Sequence, residues 1–340
     1  MSDRQFAAET ALDWLNSPCG GFGRIGAEAE FRFEGKGSDD YSVTETWWFT
    51  VSDPVSGLTA NFYIAAKPKL KICSAGSWMF RGHRHEQMLA DHLNFQVQLP
   101  EPAFSDTTIS VPQVGLTFEI VKPLEQIRIA YHPPGFNVSA ELVVTSLFAP
   151  VMRANERHFE QATWTKGTIS IDGERFSIDH PSFRDRSFGE ARREDALVHP
   201  PIGWLYGVIG NGSSAFNLSG IDDPAHNPVW HGGYSVKDGR TLFDGWIMHK
   251  GELRKVATMS KRTTREPRRQ RPLFVEVDFQ DNQGEKHVLR GAQATSYNIH
   301  FWPNHNSYHA LTEWELDGVK GIGGCQDYIW PEFAKRYWTG

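Results

Sequence analysis

Alternation of apolar and polar residues along most of this chain is the feature that most limits its fold. Segments such as "GTISIDGERFSID" and "FNVSAELVVTSLF" are rich in β-branched and aromatic residues at alternate positions, as in strands with one buried face. Asp-Gly pairs adopt the positive φ angles of tight hairpin turns, so Asp172-Gly173 predicts a hairpin. Strand patterns do not alternate with long helical patterns, which argues against a parallel α/β sheet. The sequence predicts an all-β protein of antiparallel barrels or sandwiches with few short helices.

A break in the strand pattern near residues 148–165 predicts a domain boundary. A chain of 340 residues is long enough for two domains of ordinary size. We therefore expect an N-terminal β domain over 1–155 and a C-terminal β domain over 156–340. The basic segment "SKRTTREPRRQRP", residues 260–272, predicts a solvated, mobile loop, with a contact to an anion or a partner as the alternative.

Charge and composition narrow the class of partner. The formal net charge of −6 argues against nucleic-acid binding, which usually needs a basic face. No window approaches the roughly 20 apolar residues of a membrane span, and the N-terminus does not resemble a secretory signal. Three scattered cysteines, Cys19, Cys73 and Cys325, favour a reducing compartment, so we expect a cytoplasmic protein. The oligomeric state stays open.

Motifs for cofactors and metals are weak. "GFGRIG", residues 21–26, matches the dinucleotide fingerprint only literally, because no strand precedes it and a strand-like segment follows. We expect a flexible loop there and no organic cofactor. His83 and His85 would share one face of a strand, but no histidine set has the spacing of a zinc site. We predict no metal, with a metal-dependent enzyme using these two histidines as a minor alternative.

The stretch "HPSFRDRSFG", residues 180–189, concentrates charge between aromatic residues. If it continues as a strand, Arg184 and Arg186 share one face and Asp185 lies on the other. The flanking arginines should keep Asp185 ionised and lower its pKa. The cluster predicts either a salt-bridge staple that holds the domain closed or a polar patch on the wall of an aromatic pocket.

This region resembles the core signature of the carotenoid 1,2-hydratase (hydroxyneurosporene synthase) and AttH-like family, whose relatives include kievitone hydratase and polyketide Diels–Alder cyclases. The resemblance rests on segments in the family's order: "TETWWFTVSDPVSGLTANFYIAAKP", "HFEQATWTKGTISIDGERFSIDHPSFRDRSFG" and "TEWELDGVKGIGGCQDYIW". Within the second segment, the matching positions are Glu160-Gln161, Gly167, Asp172-Gly173, Arg184-Asp185 and Gly189.

The resemblance implies two lipocalin-like β domains and a largely apolar cavity at or near their junction. It also implies cofactor-independent chemistry on isoprenoid, polyketide or flavonoid-like molecules, such as addition or loss of water, or ring closure. The aromatic content of 13% suits such substrates, because aromatic walls stabilise cations and exclude water. The chain departs from the family pattern at Arg186 and Phe188, where the family commonly has His and Trp.

We therefore predict a hydratase, lyase or cyclase/isomerase for a hydrophobic small molecule, with a non-catalytic carrier of such a ligand as the alternative. Asp185, Arg184 and Arg186 are the central site candidates. Other acid/base candidates are His231, His309, Glu313 and Asp327. Substrate-binding candidates are Phe188, Trp204, Tyr206, Phe216, Trp246 and Trp302, each of which could also be a core residue.

Overall fold

A computed structural model describes residues 21–31, 38–192, 200–227, 234, 236, 241–301 and 304–337. Within these residues the protein is all-β with few short helices, which confirms the predicted class. The chain divides into two compact units, the first spanning Phe22–Arg193 and the second containing the described residues from 200 onward. No described helix is long and apolar enough to cross a membrane.

The first unit is a curled antiparallel sheet of twelve strands. Strand β4 (His83–Arg84) is a further two-residue element of this unit. The sheet strands are β1 (Val43–Asp53), β2 (Leu58–Lys67), β3 (Ile72–Phe80), β5 (His92–Pro100), β6 (Ala103–Phe104), β7 (Thr108–Val111), β8 (Leu116–Lys122), β9 (Gln126–Tyr131), β10 (Val138–Ser146), β11 (Val151–Met152), β12 (His158–Ile171) and β13 (Glu174–Ala191).

The strand order in this sheet is β5-β3-β2-β1-β13-β12-β10-β9-β8-β7-β6, with β11 paired to β12. One face buries an apolar cluster that includes Phe49, Phe62, Phe118 and Ile129. The first unit extends beyond the predicted boundary at residue 155, because β12 and β13 pair with β10 and β1.

The second unit is an eight-stranded antiparallel barrel, closed by pairing between its fifth and sixth strands. An apolar cluster that includes Leu205, Phe216 and Trp314 fills part of its interior. Its elements are β14 (Ile202–Ile209), β15 (Ser214–Ile221), β16 (Leu242–His249), β17 (Glu252–Arg265), β18 (Pro272–Asp281), β19 (Lys286–Ile299), β20 (Asn306–Leu316), β21 (Val319–Ile329) and the helix α1 (Pro331–Tyr337).

Short 3-10 turns complete the described secondary structure. One of them, Ala27–Glu30, occupies a segment that the sequence had suggested was strand-like. Residues 21–26 before it have no regular structure. The other turns are Pro68–Leu70, Gln87–Leu89, Pro112–Val114 and Gly210–Gly212.

The basic segment over 260–272 differs from its prediction. It is not a mobile loop, since residues up to Arg265 continue strand β17. Lys261 and Arg265 are buried, and both form ion pairs with Asp222. Burying these cations is tolerated because carboxylates neutralise them inside the barrel, a pairing that local composition does not show.

The β12–β13 hairpin is confirmed, with positive φ at both Asp172 and Gly173. Earlier in the same hairpin, Gly167 has φ +147°, and a Cβ there would lie 2.0 Å from the Glu141 carbonyl oxygen. We expect Gly167→Ala to lower the free energy of unfolding by about 1–3 kcal/mol, measured by denaturant unfolding. The neighbouring Thr168→Ala is the control, and an equal effect of both changes would contradict this explanation.

Candidate active site on strand β13

Strand β13 sends its charged side chains to opposite faces of the sheet, as its alternation predicts. Arg184 lies opposite Phe49 of β1, and Arg186 lies opposite Trp47, two residues of the apolar cluster. Asp185 lies between them in the chain and points to the other face. One face of β13 therefore carries the two guanidiniums, and the other face carries the Asp185 carboxyl.

Arg184 is held in a buried ion pair. Its Nη1 donates to Glu30 Oε2 at 3.0 Å, its Nη2 donates to Glu30 Oε1 at 2.5 Å, and its Nε donates to Gln161 Oε1 at 2.7 Å. The Gln161 amide in turn donates to the carbonyl oxygens of Leu124 and Phe148. This planar, bidentate arrangement replaces the hydrogen bonds to water that the guanidinium loses on burial.

Arg186 is buried in a second, separate pair. Its Nη1 donates to Glu45 Oε2 at 3.2 Å, and its guanidinium carbon lies 3.8 Å from the Trp47 ring centroid and 5.2 Å from that of Phe188. Burial lowers the pKa of Arg186 to about 10. Phe188, a predicted substrate-binding residue, belongs to a small apolar cluster with Phe159. This face matches the salt-bridge staple that was one of the two predicted interpretations.

The predicted electrostatic state of Asp185 is wrong. The pKa of its carboxyl is raised, chiefly by burial, rather than lowered by the neighbouring arginines. Arg184 and Arg186 project to the opposite face, where Glu30 and Glu45 neutralise them. The three charged residues are adjacent in sequence, but alternation along the strand places Asp185 on one face of the sheet and the two arginines on the other.

Asp185 is half-buried, and its carboxylate has no hydrogen bond or ion pair within the part of the chain that the structure describes. A half-buried carboxyl with a raised pKa is a candidate for donating and accepting protons.

A second carboxylate, Glu160 of β12, lies directly across the strand pair from Asp185. Arg153 donates to Glu160 Oε1 from Nε at 3.1 Å and from Nη2 at 2.7 Å, and His158 Nε2 lies 3.0 Å from the same oxygen. Glu160 is buried, yet these two partners hold its pKa at about 2. Glu160 therefore stays ionised, and its charge contributes to the raised pKa of Asp185.

The polar contacts continue along the same face. His158 Nδ1 lies 2.6 Å from Ser187 Oγ, and Arg192 Nη2 donates to Ser187 Oγ at 2.8 Å. We refer to Arg153, His158, Glu160, Ser187 and Arg192 as the β13 polar network. Asp185 lies beside this network, whose charged groups act on the pKa of the Asp185 carboxyl.

Aromatic side chains cover the neighbouring strands on the face that carries Asp185. Trp48 of β1 is the cross-strand neighbour of Asp185, and Tyr63 of β2 is the neighbour of Trp48. Tyr63 stacks on Phe95 with centroids 6.0 Å apart and contacts Trp78 edge-on at 6.3 Å. Burial raises the pKa of Tyr63 to about 12, so its hydroxyl stays protonated.

We expect Glu160→Gln to lower the pKa of Asp185, because it removes a nearby negative charge. The carboxyl would then lose its proton at lower pH, and activity that needs the protonated form would also be lost at lower pH. Infrared titration of the protonated carboxyl, with Asp185→Asn to assign the band, measures this shift. Glu141→Gln, which changes an exposed carboxylate paired with His132, is the control. An unchanged Asp185 titration would contradict the assignment.

Several second-unit candidates share the face of the barrel opposite its apolar interior. Trp204 and Tyr206 project together from β14, with ring centroids 4.7 Å apart. Tyr206 is the cross-strand neighbour of Asn217, and Asn217 is the cross-strand neighbour of Trp246. Trp246 therefore lies on the same face as Tyr206. His309 is buried two strands from Trp204, and burial lowers its pKa to about 3, so its imidazole is neutral.

The remaining candidates are placed elsewhere. Phe216 packs against Trp314 in the interior of the barrel, at a centroid distance of 5.4 Å. Asp327 is bound by Arg265, whose Nη1 and Nη2 donate at 2.6 Å and 2.9 Å. Glu313 is exposed on β20. His231 and Trp302 lie outside the described residues.

His83 is exposed and His85 is partly buried, and neither belongs to a group of three possible metal ligands found in the described residues. One such group, Asp281, Glu285 and His287, lies in the described part of the second unit. Sequence reasoning missed this group, and it also missed Arg153, His158 and Arg192 in the β13 polar network.

Three solved structures are similar to this chain. Kievitone hydratase from Nectria haematococca gives a TM-score of 0.56 at 13% identity, covering 91% of this chain and 96% of that one. An AttH-like protein from Nitrosomonas europaea gives 0.59 at 13% identity, covering 92% and 99%. CghA, crystallised with Sch210972, gives 0.53 at 10% identity, covering 93% and 96%. At these identities the likeness shows a shared fold.

Sequence comparison gives the family. No curated protein matches the chain significantly. The family described as "Domain of unknown function (DUF7064)" matches residues 34–332, which is most of the chain, and the protein therefore belongs to that family.

Proposed function

We propose that this protein is a cofactor-independent hydratase, lyase or cyclase for a hydrophobic small molecule, with Asp185 as its acid/base. The observation that carries the proposal is the half-buried Asp185 carboxyl, whose pKa is raised by burial. Across the strand pair, Glu160 has a pKa of about 2. Two neighbouring carboxyls with pKa values pushed apart are the usual arrangement for acid/base chemistry.

Hydration of a double bond shows what Asp185 would do. Its proton is transferred to one alkene carbon, and the π electrons form the new C–H bond. Water then adds to the resulting carbocation and returns a proton to the Asp185 carboxylate, so the enzyme is restored. Dehydration is the same sequence in reverse. In a ring closure, the protonated carboxyl would instead donate a hydrogen bond to a carbonyl oxygen of the substrate.

The neighbouring aromatic face supports an apolar, unsaturated substrate. Trp48 and Tyr63 lie beside Asp185 in the strand order, and aromatic rings stabilise a developing carbocation through cation–π attraction. Isoprenoid, polyketide and aromatic compounds are the substrate types that fit this chemistry. Kievitone hydratase, which by its name acts on kievitone, and CghA share the fold, which supports a hydratase or cyclase over other reaction classes.

The test is incubation of the full-length protein in D2O with a panel of unsaturated isoprenoids, polyketides and flavonoids. We expect one substrate to give either a product that differs from it by the mass of one water or an isomer of that substrate. A hydration product should carry one deuterium on carbon. Mass spectrometry and NMR detect both outcomes. Asp179→Asn, at an exposed position of the same strand, is expected to retain activity.

Ligands that bind tightly and are recovered unchanged across the panel would contradict an enzyme and identify a carrier. Turnover that persists in Asp185→Asn would show that the protein is an enzyme but that Asp185 is not its acid/base.

A further inference from the structure

Three hairpins of the barrel bring a cluster of histidines and carboxylates together, away from strand β13. His249 ends β16, and Asp281, Glu285 and His287 flank the β18–β19 turn. Asp317 lies in the β20–β21 turn. We call these five residues the hairpin cluster. No step of the proposed reaction uses any of them.

His287 has one ring nitrogen satisfied and one that is not. The residue is only 1% exposed, and Nδ1 lies 2.7 Å from Asp317 Oδ2. The Nε2 atom has no hydrogen bond in the described structure and lies 3.6 Å from Asp281 Oδ2. When Nδ1 carries the proton shared with Asp317, Nε2 presents a lone pair to a carboxylate. That contact is repulsive unless Nε2 is also protonated or a cation lies between the two atoms.

His249 repeats this arrangement. Its Nε2 lies 3.3 Å from Glu285 Oε1 without the alignment of a hydrogen bond. The rings of His249 and His287 have centroids 5.1 Å apart. Two imidazole nitrogens thus face two carboxylates on neighbouring hairpins.

The distances suit a shared metal ion. Two ligand atoms bound to one tetrahedral zinc ion, each at about 2.1 Å, are roughly 3.4 Å apart. The two nitrogen–oxygen distances, 3.6 Å and 3.3 Å, are close to this separation. One ligand atom from each of Asp281, Glu285 and His287 also lies within 4.8 Å of the others. The Asp317–His287 contact is the outer hydrogen bond that metal-binding histidines usually make.

The hairpin cluster and its ion-pair partners carry a net negative charge that a divalent cation would balance. Arg254 Nη1 donates to Asp281 Oδ2 at 2.9 Å and to Glu285 Oε2 at 2.6 Å, and Lys250 Nζ donates to Glu285 Oε1 at 3.1 Å. Arg254 also pairs with Glu252. Four carboxylates, those of Glu252, Asp281, Glu285 and Asp317, against two cations, Arg254 and Lys250, leave two negative charges.

We propose that Asp281, Glu285 and His287 bind one divalent transition-metal ion such as Zn²⁺, with Asp317 orienting His287 and His249 beside Glu285 at the edge of the site. Imidazole ligands favour zinc and related metals over Ca²⁺ and Mg²⁺, which prefer oxygen ligands. The ion would be held by the β18–β19 hairpin and connected through Asp317 to the β20–β21 turn. Its role would be to stabilise the barrel, because a ligand that binds only the folded state raises stability.

The test is titration of chelator-treated, full-length protein with Zn²⁺, Mg²⁺ and Ca²⁺ by calorimetry, with thermal unfolding in parallel. We expect one Zn²⁺ per chain, an unfolding midpoint that rises with Zn²⁺ concentration, and no comparable response to Mg²⁺ or Ca²⁺. Asp317→Asn should weaken Zn²⁺ binding about 10- to 100-fold. Glu285→Gln, at a partly exposed ligand position, should weaken it without preventing folding.

His132→Gln is the matched control, because His132 pairs with Glu141 on the surface of the first unit, outside the hairpin cluster. It should leave Zn²⁺ binding unchanged. Absence of saturable Zn²⁺ binding would overturn the proposal. Zn²⁺ binding that survives Glu285→Gln with unchanged affinity would place the metal elsewhere and overturn the proposal equally.

Discussion

Replacing Asp185 by asparagine is expected to lower turnover by about 10²- to 10⁴-fold, the usual contribution of a positioned acid/base. Asparagine keeps the size of the side chain and its hydrogen-bonding capacity but cannot transfer a proton. Ligand affinity should persist, since the aromatic face of Trp48 and Tyr63 is unchanged. Steady-state kinetics should therefore show a fall in kcat with little change in KM.

The same substitution should not destabilise the protein at neutral pH. The folded-state pKa of Asp185 is raised by burial, so its contribution to stability is fully present below the unfolded pKa and is lost as pH rises through the folded pKa. At neutral pH, which is above the ordinary pKa of an aspartate carboxyl, the raised pKa of Asp185 therefore costs stability, and asparagine removes that cost. Thermal unfolding of Asp185→Asn should show a midpoint equal to or above that of the unchanged protein.

The opposite pair of results would contradict the role of Asp185. A lower unfolding midpoint with full turnover would identify Asp185 as a structural residue. Asp179→Asn is the matched control, because Asp179 is exposed on the same strand and bonded to Trp164.

Removing Arg184 should produce the largest loss of stability. Arg184→Met leaves the Glu30 carboxylate buried without its bidentate partner. Breaking a buried pair at one member typically costs about 3–5 kcal/mol, so the free energy of unfolding should fall by that amount. Denaturant unfolding at neutral pH measures the change.

Two further variants show whether the buried charge is the cause. Replacing Arg184 and Glu30 together by apolar residues should recover part of the loss, because no unpaired charge remains. Arg128→Met is the surface control: Arg128 pairs with Glu119 at 3.3 Å, with both side chains largely exposed. It should cost less than about 1 kcal/mol. Equal losses in the buried and the surface variants would contradict the explanation.

The sequence was sufficient for the fold class and for the local geometry of β13. Period-two alternation identified most strands, and Asp172-Gly173 identified the hairpin that the structure contains. Alternation also separated Asp185 from Arg184 and Arg186 correctly. These features depend on local sequence, which explains why they could be predicted.

The electrostatic environment could not be predicted from neighbours in sequence. The partner of Arg184 is Glu30, 154 positions away, and the burial that raises the pKa of Asp185 comes from the packed sheet. One signal was available. Counting equal numbers of residues back from the Asp172-Gly173 turn along both strands brings Glu160 opposite Asp185. Hairpin register, used in this way, would have found the carboxylate pair.

The two faces of β13 make the length of this strand critical. Successive side chains point in opposite directions, so one residue inserted between Gly173 and Arg184 would invert every position beyond it. Asp185 would then turn toward Trp47 and Phe49, and the two guanidiniums would leave their glutamates. Homologous chains should therefore keep a constant spacing here, even where the surrounding loops vary freely in length.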